Sequence, residues 1–412
     1  MLAKFKPVTS CRACQSTELE KVLDFGLSAI ADDYFIDRDN SAKYPLACFL
    51  CNSCGLLQLD HVVDPSAIYD DYIYWSTSSP GLDEHFKQYA DSVYTFLELS
   101  DTSLVMDIGC NDGMLLRHFR HKGCRVLGIE PSTQIAQHAN EDGLAVINNY
   151  WNLSTAEEVK QRYRSIDLVT ANNVFANVDD IYNFAKSVPY VLAEEGVFVI
   201  ETGSHLSLIE NFVFDNIYHE HLSYFSVSAL QHFFKQFNME IFHVEQVNTK
   251  GGSIRVFACL STSQHTIDSS VGIAIAQEQK AGLFQLKTYK EYISRIYELK
   301  QNVHAYLAKA QEDGKSIIGF GASATVTTVL HTLDIGDFFT FLVDDNESKQ
   351  NTFSPGYHIP VKPTKAMYIN GPCCVIVLPW RFADMFISNN HHFMNVERSI
   401  VKIIPHISEV TE

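Results

Sequence analysis

Positive charge is what this 412-residue chain has least of: 31 Lys and Arg stand against 49 Asp and Glu, a formal net charge of −18 at pH 7. That imbalance excludes nucleic acid and anionic membrane surfaces as principal partners, because both need a basic footprint. A phosphorylated ligand is still open, since backbone N–H groups and a few local cations are enough to bind one. Long apolar runs are missing too. Nothing approaches the roughly 18 consecutive apolar residues of a membrane-spanning helix. No apolar core follows the basic start MLAKFKPVTSCRAC, so neither a secretory signal nor a membrane anchor is expected. There is no short-period repeat and no low-complexity tract. These absences leave a cytoplasmic globular protein as the expectation.

Apolar material is ample, with 46% hydrophobic and 12% aromatic residues, and the length implies two or three domains. The stretch FDNIYHEHLSYFS, residues 214–226, crowds two His, one Glu and two Tyr among bulky apolar residues. His219 and His221 are two apart, a spacing that points opposite ways on a strand and sits badly on one helix face. On these residues alone a metal site, an acid/base site and a hydrogen-bonded core knot are all open.

Five of the ten Cys fall within the first 54 residues. Cys11-Arg-Ala-Cys14 and Cys51-Asn-Ser-Cys54 form two thiolate pairs of knuckle spacing, which suits a tetrahedral four-sulfur Zn²⁺ site. Cys48 competes for the second pair, but Gly55 directly after Cys54 allows the sharp return a knuckle needs. No His joins the cluster, so the expected zinc is structural. The scattered Cys110, Cys124, Cys259, Cys373 and Cys374 read as small buried apolar residues.

The most informative segment is SLVMDIGCNDGMLLRHFRHKGCRVLGIEPS. It predicts a strand over 104–108, a glycine turn from Gly109 to Gly113, a helix, and a second strand ending at Glu130. Such a turn brings backbone N–H groups and a Cβ-free surface beside a ligand, and the acid can accept from both ribose hydroxyls. NAD-binding and S-adenosylmethionine-binding sheets share this opening. The pattern Asp107-Ile-Gly109-Cys-Asn111-Asp-Gly113, in place of Gly-x-Gly-x-x-Gly, favours S-adenosylmethionine. IDLVTANNVFANVDD follows as a fourth strand with Asn172 and Asn173 at its ligand-facing tip, then EEGVFVIETGS as a fifth. EIFHVEQVNTKGGSIRVFAC reads as a closing hairpin. Residues 263–313 read as a polar, mostly helical connector. SIIGFGASATVTTVL and FTFLVDDN then repeat the strand, glycine turn, helix and acid-tipped strand.

CRAC, CNSCGLLQL, DIGCNDG, YHEH, GGSIRVF and GFGASA…VDDN…KQ…SPGYHIPV occur in one order over nearly the whole chain. That order resembles the bacterial nucleotide-sugar C-methyltransferases, which act on dTDP-linked 4-keto hexoses. The resemblance implies an α/β fold with three parts: a small N-terminal zinc-binding domain (1–76), a Rossmann-like S-adenosylmethionine-dependent methyltransferase domain (77–262), and a helical connector with a C-terminal Rossmann-like domain (263–412). It implies a metal-independent reaction in which a base makes an enolate that attacks the sulfonium methyl. Carried over by position, Tyr218 and His221 lie at the reacting carbon, Glu220 orients an imidazole or the sugar, and Tyr72 or Tyr74 reaches the sugar. Two departures stand out. Asn177 occupies a position where the family pattern has His, and a neutral amide is no general base. Ala324-Thr325-Val326-Thr327-Thr328 replaces a turn that carries Lys in many relatives, which removes one cation for phosphate. A methyltransferase of this fold acting on O, N or a non-sugar carbon acid is the second reading, and a non-catalytic binding protein the third.

Overall fold

Residues Leu104–Ile108 form a strand buried at every position, as a central parallel strand covered on both faces must be. The computed structural model, which describes residues 5–35, 42–64, 68, 75–78, 81–368, 371–395 and 397–410, builds a seven-stranded sheet around it. In spatial order the strands are Met239–Val247, Ser253–Leu260, Leu192–Gly203, Ile166–Asn172, Leu104–Ile108, Arg125–Ile129 and Val146–Ile147. Those from Leu192 onward in that order pair in parallel, while Ser253–Leu260 runs antiparallel to both its neighbours and closes the predicted hairpin. The order reverses beside Leu104–Ile108, so the strand tips on either side of it form a crevice where ligands of open α/β sheets bind.

A second open sheet has the order Val361–Pro363, Phe341–Asp344, Ser316–Phe320, Cys373–Val377, Arg398–Lys402 and Ser408–Glu409, parallel except at its last strand. Its crossover point lies between Ser316–Phe320 and Cys373–Val377, where Gly321 lies against Pro379. The N-terminal part carries a four-stranded sheet in the order Ser223–Tyr224, Leu57–Leu59, Lys43–Cys51 and Leu19–Ala29. Its outermost strand is the exit of the YHEH segment, so that segment is stitched into a sheet from a distant part of the chain.

Helix Leu286–Glu312 differs from the polar connector expected. It buries Tyr289, Tyr292, Ile296, Leu299, Val303, Leu307 and Ala310, a stripe at heptad-like spacing. Tyr289 donates to the Leu283 carbonyl and Tyr292 to the Leu208 carbonyl, so both phenols are buried without an unmet hydroxyl. One apolar cluster joins this stripe to Leu50, Leu57 and Leu59 of the N-terminal sheet, to Leu206, Phe212, Phe214 and Ile217, and to the second open sheet. The residues leading into YHEH therefore lie in the core shared by the other units. Among the described residues, no helix is long and apolar enough to cross a membrane.

Candidate functional site

Both cysteine knuckles close with a backbone bond from the fourth residue on: Gln15 N to Cys11 O and Gly55 N to Cys51 O, each 2.9 Å. Gln15 (φ 61°) and Gly55 (φ 78°) take the left-handed conformation that such a return requires. The result brings the Sγ atoms of Cys11, Cys14, Cys51 and Cys54 within 4.8 Å of one another, with the closest pairs at 3.5 and 3.6 Å. A tetrahedral zinc with Zn–S bonds of about 2.3 Å needs sulfurs about 3.8 Å apart, so the four residues fit the ion and leave no open coordination position. Cys48 is fully buried in a different apolar cluster. Cys11, Ala13, Cys51, Cys54 and Leu56 pack into the core of the seven-stranded sheet. Replacing Cys51 with Ser is expected to abolish zinc retention and lower the thermal unfolding temperature, whereas Cys48→Ser keeps one zinc per chain. Metal analysis of the two purified variants decides between them, and a zinc-replete C51S protein would refute the ligand set.

At the crevice of the seven-stranded sheet, Glu130 accepts from Asn111 N (3.0 Å) through one oxygen and from Ser132 N (2.8 Å) through the other. Burial raises its pKa. A carboxylate offers about four acceptor positions, so two are left for a diol. Asp107 is buried, accepts from Thr170 Oγ1 at 2.6 Å, and is pushed up to about 7 by burial. Gly109 and Gly113 have φ of 71° and 80°, yet a Cβ there would strike Val174 (2.4 Å) and Leu144 (2.1 Å). The space the glycines leave is filled by the fold's own side chains. Asn111 and Asp112 accept from Ser76 N and Thr77 N, which lays the Ser76–Ser78 turn over the glycine turn. Among the described residues the buried amide of Asn172 and the buried hydroxyl of Tyr89 make no hydrogen bond of ordinary geometry, although the amide lies beside both that hydroxyl and Asp107. An unmet amide at a strand tip, with an acid at the next tip, fits a cofactor bearing a ribose and an amino-acid tail. Asn173 (φ 56°) donates its N–H to the Glu201 carbonyl and lines the pocket beyond.

That pocket is bounded by Asn173, Asn177, Ser204, His221, Tyr224 and Lys250, among others. The two histidines of YHEH face different surroundings, as their spacing anticipates. His219 is buried against the N-terminal sheet, 3.2 Å from the Pro45 carbonyl, and burial lowers its pKa to about 4. His221 faces the pocket. Its Nδ1 lies 2.9 Å from the Asn216 carbonyl and must donate there, which leaves Nε2 to accept from the Tyr218 hydroxyl at 3.1 Å. Burial lowers the His221 pKa to about 4, so the imidazole is neutral at pH 7. The Asn216 carbonyl thereby fixes the orientation of the ring. Glu220 is buried and pushed up to about 8 by burial and by nearby Asp32. Tyr72 and Tyr74 lie outside the described residues. Among the described residues the four-Cys set is the one cluster of metal-ligand type, and it does not include the YHEH histidines.

Sequence reasoning missed a second, larger pocket, at the crossover of the C-terminal sheet. Its walls carry Arg295, Arg381, Lys402 and Lys250, the aromatics Phe212, Trp380 and Phe382, and the start of helix Ala324–Leu333 at Ser323–Thr325. Arg295 lies over the Phe212 ring at 4.3 Å. Arg381 and Trp380 both bond the buried Asp215, at 2.9 and 3.2 Å, and so clasp the entry to YHEH. These cations come from positions too far apart to form a motif. WRF directly after a buried strand was the one local signal.

Three protein families match the chain in sequence: a zinc binding domain over residues 11–69, a methyltransferase domain over 82–244 and a C-methyltransferase C-terminal domain over 248–405. The chain is similar to the C-methyltransferase NovU of Streptomyces niveus, with 29% identity over 97% of this chain and 96% of the relative. It is 33% identical to a ubiquinone biosynthesis O-methyltransferase of Rhodopseudomonas palustris over 24% of this chain and 39% of that protein. Among solved structures, an S-adenosylmethionine-dependent methyltransferase from Clostridium acetobutylicum aligns at 16% identity with a TM-score of 0.35, covering 47% of this chain and 95% of that one.

Proposed function

We propose that this chain is an S-adenosylmethionine-dependent C-methyltransferase and that it methylates the carbon beside the ketone of a nucleotide-linked sugar, a dTDP-ketosugar. The observation that carries this reading is the pair of adjoining pockets, which share Asn216 and Lys250 in their walls. The smaller holds His221 at the tips of the methyltransferase sheet, where the reacting carbon would lie. The larger is lined by cations and aromatics, and suits a diphosphate and a base. Arg295, Arg381 and the helix start at Ser323–Thr325 supply in place of the missing turn lysine what a pyrophosphate needs. A strongly acidic chain that gathers cations in one crevice is selecting an anion there.

S-adenosylmethionine, when bound, supplies an electrophilic methyl group, and Glu130, Asn172 and Asn173 are the residues that would hold it, with Asp107, Gly109, Asn111 and Gly113 shaping the turn behind them. The remaining chemistry is proton removal from a carbon acid. Neutral His221 takes that proton at Nε2, directly or through the Tyr218 hydroxyl. Glu220, which the resemblance places at an imidazole or the sugar, is buried beside His221 with its pKa raised by burial. Asn177, at the pocket wall with its buried Oδ1 unpartnered among the described residues, contacts a sugar hydroxyl where the family pattern has an imidazole. Incubation with labelled S-adenosylmethionine and a panel of dTDP-4-keto-6-deoxyhexoses is expected to give a product whose NMR spectrum shows a new carbon-bound methyl group. If every ketosugar stays unmethylated, or the methyl arrives on oxygen or nitrogen, the assignment fails.

A further inference from the structure

Lys250 occupies the junction of the two pockets, on the turn between strands Met239–Val247 and Ser253–Leu260. The turn is built rather than loose. Lys250 has φ 53°, followed by Gly251 at 88° and Gly252 at 123°. A side chain in the left-handed region is held there against roughly 1 kcal/mol or more of steric cost. Here the hold comes from four hydrogen bonds: Asn216 Nδ2 to Lys250 O (2.8 Å), Asn211 Nδ2 to Gly251 O (2.9 Å), Ser204 N to Gly252 O (3.0 Å) and Gly252 N to Thr249 O (2.8 Å). A Cβ on Gly252 would lie 2.4 Å from Ser207 Cβ, so the turn is pressed onto the helix that follows the fifth strand. Asn216, whose carbonyl orients His221, also grips the Lys250 carbonyl, so one residue sets the spacing of base and cation.

The Lys250 ammonium forms no ion pair among the described residues, in contrast to Arg381 and Lys402, which bond Asp215 and Asp384. Burial lowers the Lys250 pKa from the ordinary lysine value, and the charges of Glu201 and then Glu220 oppose that without either acid bonding the ammonium. We infer that Lys250 is a further catalytic residue whose ammonium donates a hydrogen bond to the ketone oxygen of the substrate as that oxygen becomes an enolate. The inference rests on the ketosugar reading above. In the step concerned, the C–H bond beside the ketone breaks and its proton passes to the Tyr218–His221 pair. The C–H electrons form the new C=C bond, and the carbonyl π pair moves onto oxygen, where the Lys250 N–H meets it. A fixed donor at the developing charge acts in the transition state more than in the ground state.

Enolisation can be followed without methyl transfer, as deuterium entry beside the ketone of a dTDP-4-keto-6-deoxyhexose in ²H₂O with S-adenosylhomocysteine present. Lys250→Met is expected to slow this exchange by about 10²–10³-fold, while dTDP alone still binds by calorimetry as it does to the wild-type protein. Lys250→Arg recovers part of the rate. Exchange by K250M at the wild-type rate, or loss confined to dTDP affinity, overturns the role and leaves Lys250 a phosphate anchor. A wild-type enzyme that exchanges no ketosugar overturns both this role and the substrate assignment.

Discussion

His221→Asn will lower methyl transfer by about 10²–10⁴-fold, the range a positioned general base contributes, with S-adenosylmethionine affinity unchanged. The asparagine keeps a donor for the Asn216 carbonyl but removes the Nε2 lone pair that faces Tyr218. The imidazole bonds none of Glu130, Asn172 and the glycine turn, the residues proposed to hold the cofactor, so calorimetric titration separates chemistry from binding. The acid side of the pH profile gives a second check. Burial depresses the His221 pKa to about 4, so the free enzyme keeps its base unprotonated well below the usual histidine range. The rate constant kcat/KM is therefore expected to stay level from pH 7 down to about 5 and to fall only as the pH approaches 4. Near-normal turnover in the variant would remove His221 from the reaction.

Arg255→Met is expected to destabilise the protein by about 3–5 kcal/mol, the usual result of stripping one partner from a buried ion pair. Arg255 clamps Glu201 through Nε (3.0 Å) and Nη2 (2.8 Å), reaches Glu245 at 2.6 Å, and lies over the Tyr89 ring at 4.0 Å. Glu201 is 1% exposed and also meets His85 at 2.6 Å. Burial alone would raise the Glu201 pKa, but His85 and Arg255 hold it below the ordinary value. A carboxyl depressed by folding lends stability above its unfolded pKa, near 4.3, and loses it as the pH falls through the folded value. The gap between wild type and variant should accordingly be full at pH 7 and shrink below about pH 4. The double variant E201Q/R255M should recover part of the loss, because no buried charge is then stranded. Urea unfolding at two pH values measures all three outcomes. Glu201 lies in register with Asn172, so this cluster also underlies the crevice proposed for the cofactor.

What was legible in the sequence was chemistry written at short range. Two Cys-x-x-Cys pairs specify their knuckles through local backbone geometry, and an acid at a strand tip follows from strand, turn and helix lengths alone. The glycine turn was legible as a pattern but not in its cause, because Val174 and Leu144 approach it from far downstream in the chain. The long helix misled for a related reason. Its Tyr289 and Tyr292 count as half polar until their hydroxyls are seen to find partners in the core. The crevice cations were beyond reach: Lys250, Arg295, Arg381 and Lys402 sit on four separate elements, and only the return of the C-terminal sheet to the methyltransferase sheet makes them neighbours. The resemblance placed Glu220 as orienting an imidazole or the sugar; that His221 bonds the carbonyl of Asn216, five residues before it, was not legible in the sequence.

The YHEH segment is anchored at both ends by parts of the chain remote from it. Asp215 is gripped by Trp380 and Arg381 on one side, and Ser223–Tyr224 pairs with Leu57–Leu59 on the other. For anyone recombining such enzymes, this sets a rule of inheritance. A hybrid that keeps this methyltransferase sheet and borrows its zinc unit or its C-terminal sheet must also borrow a compatible pairing edge and clasp. The three units are therefore exchangeable between relatives only as a block.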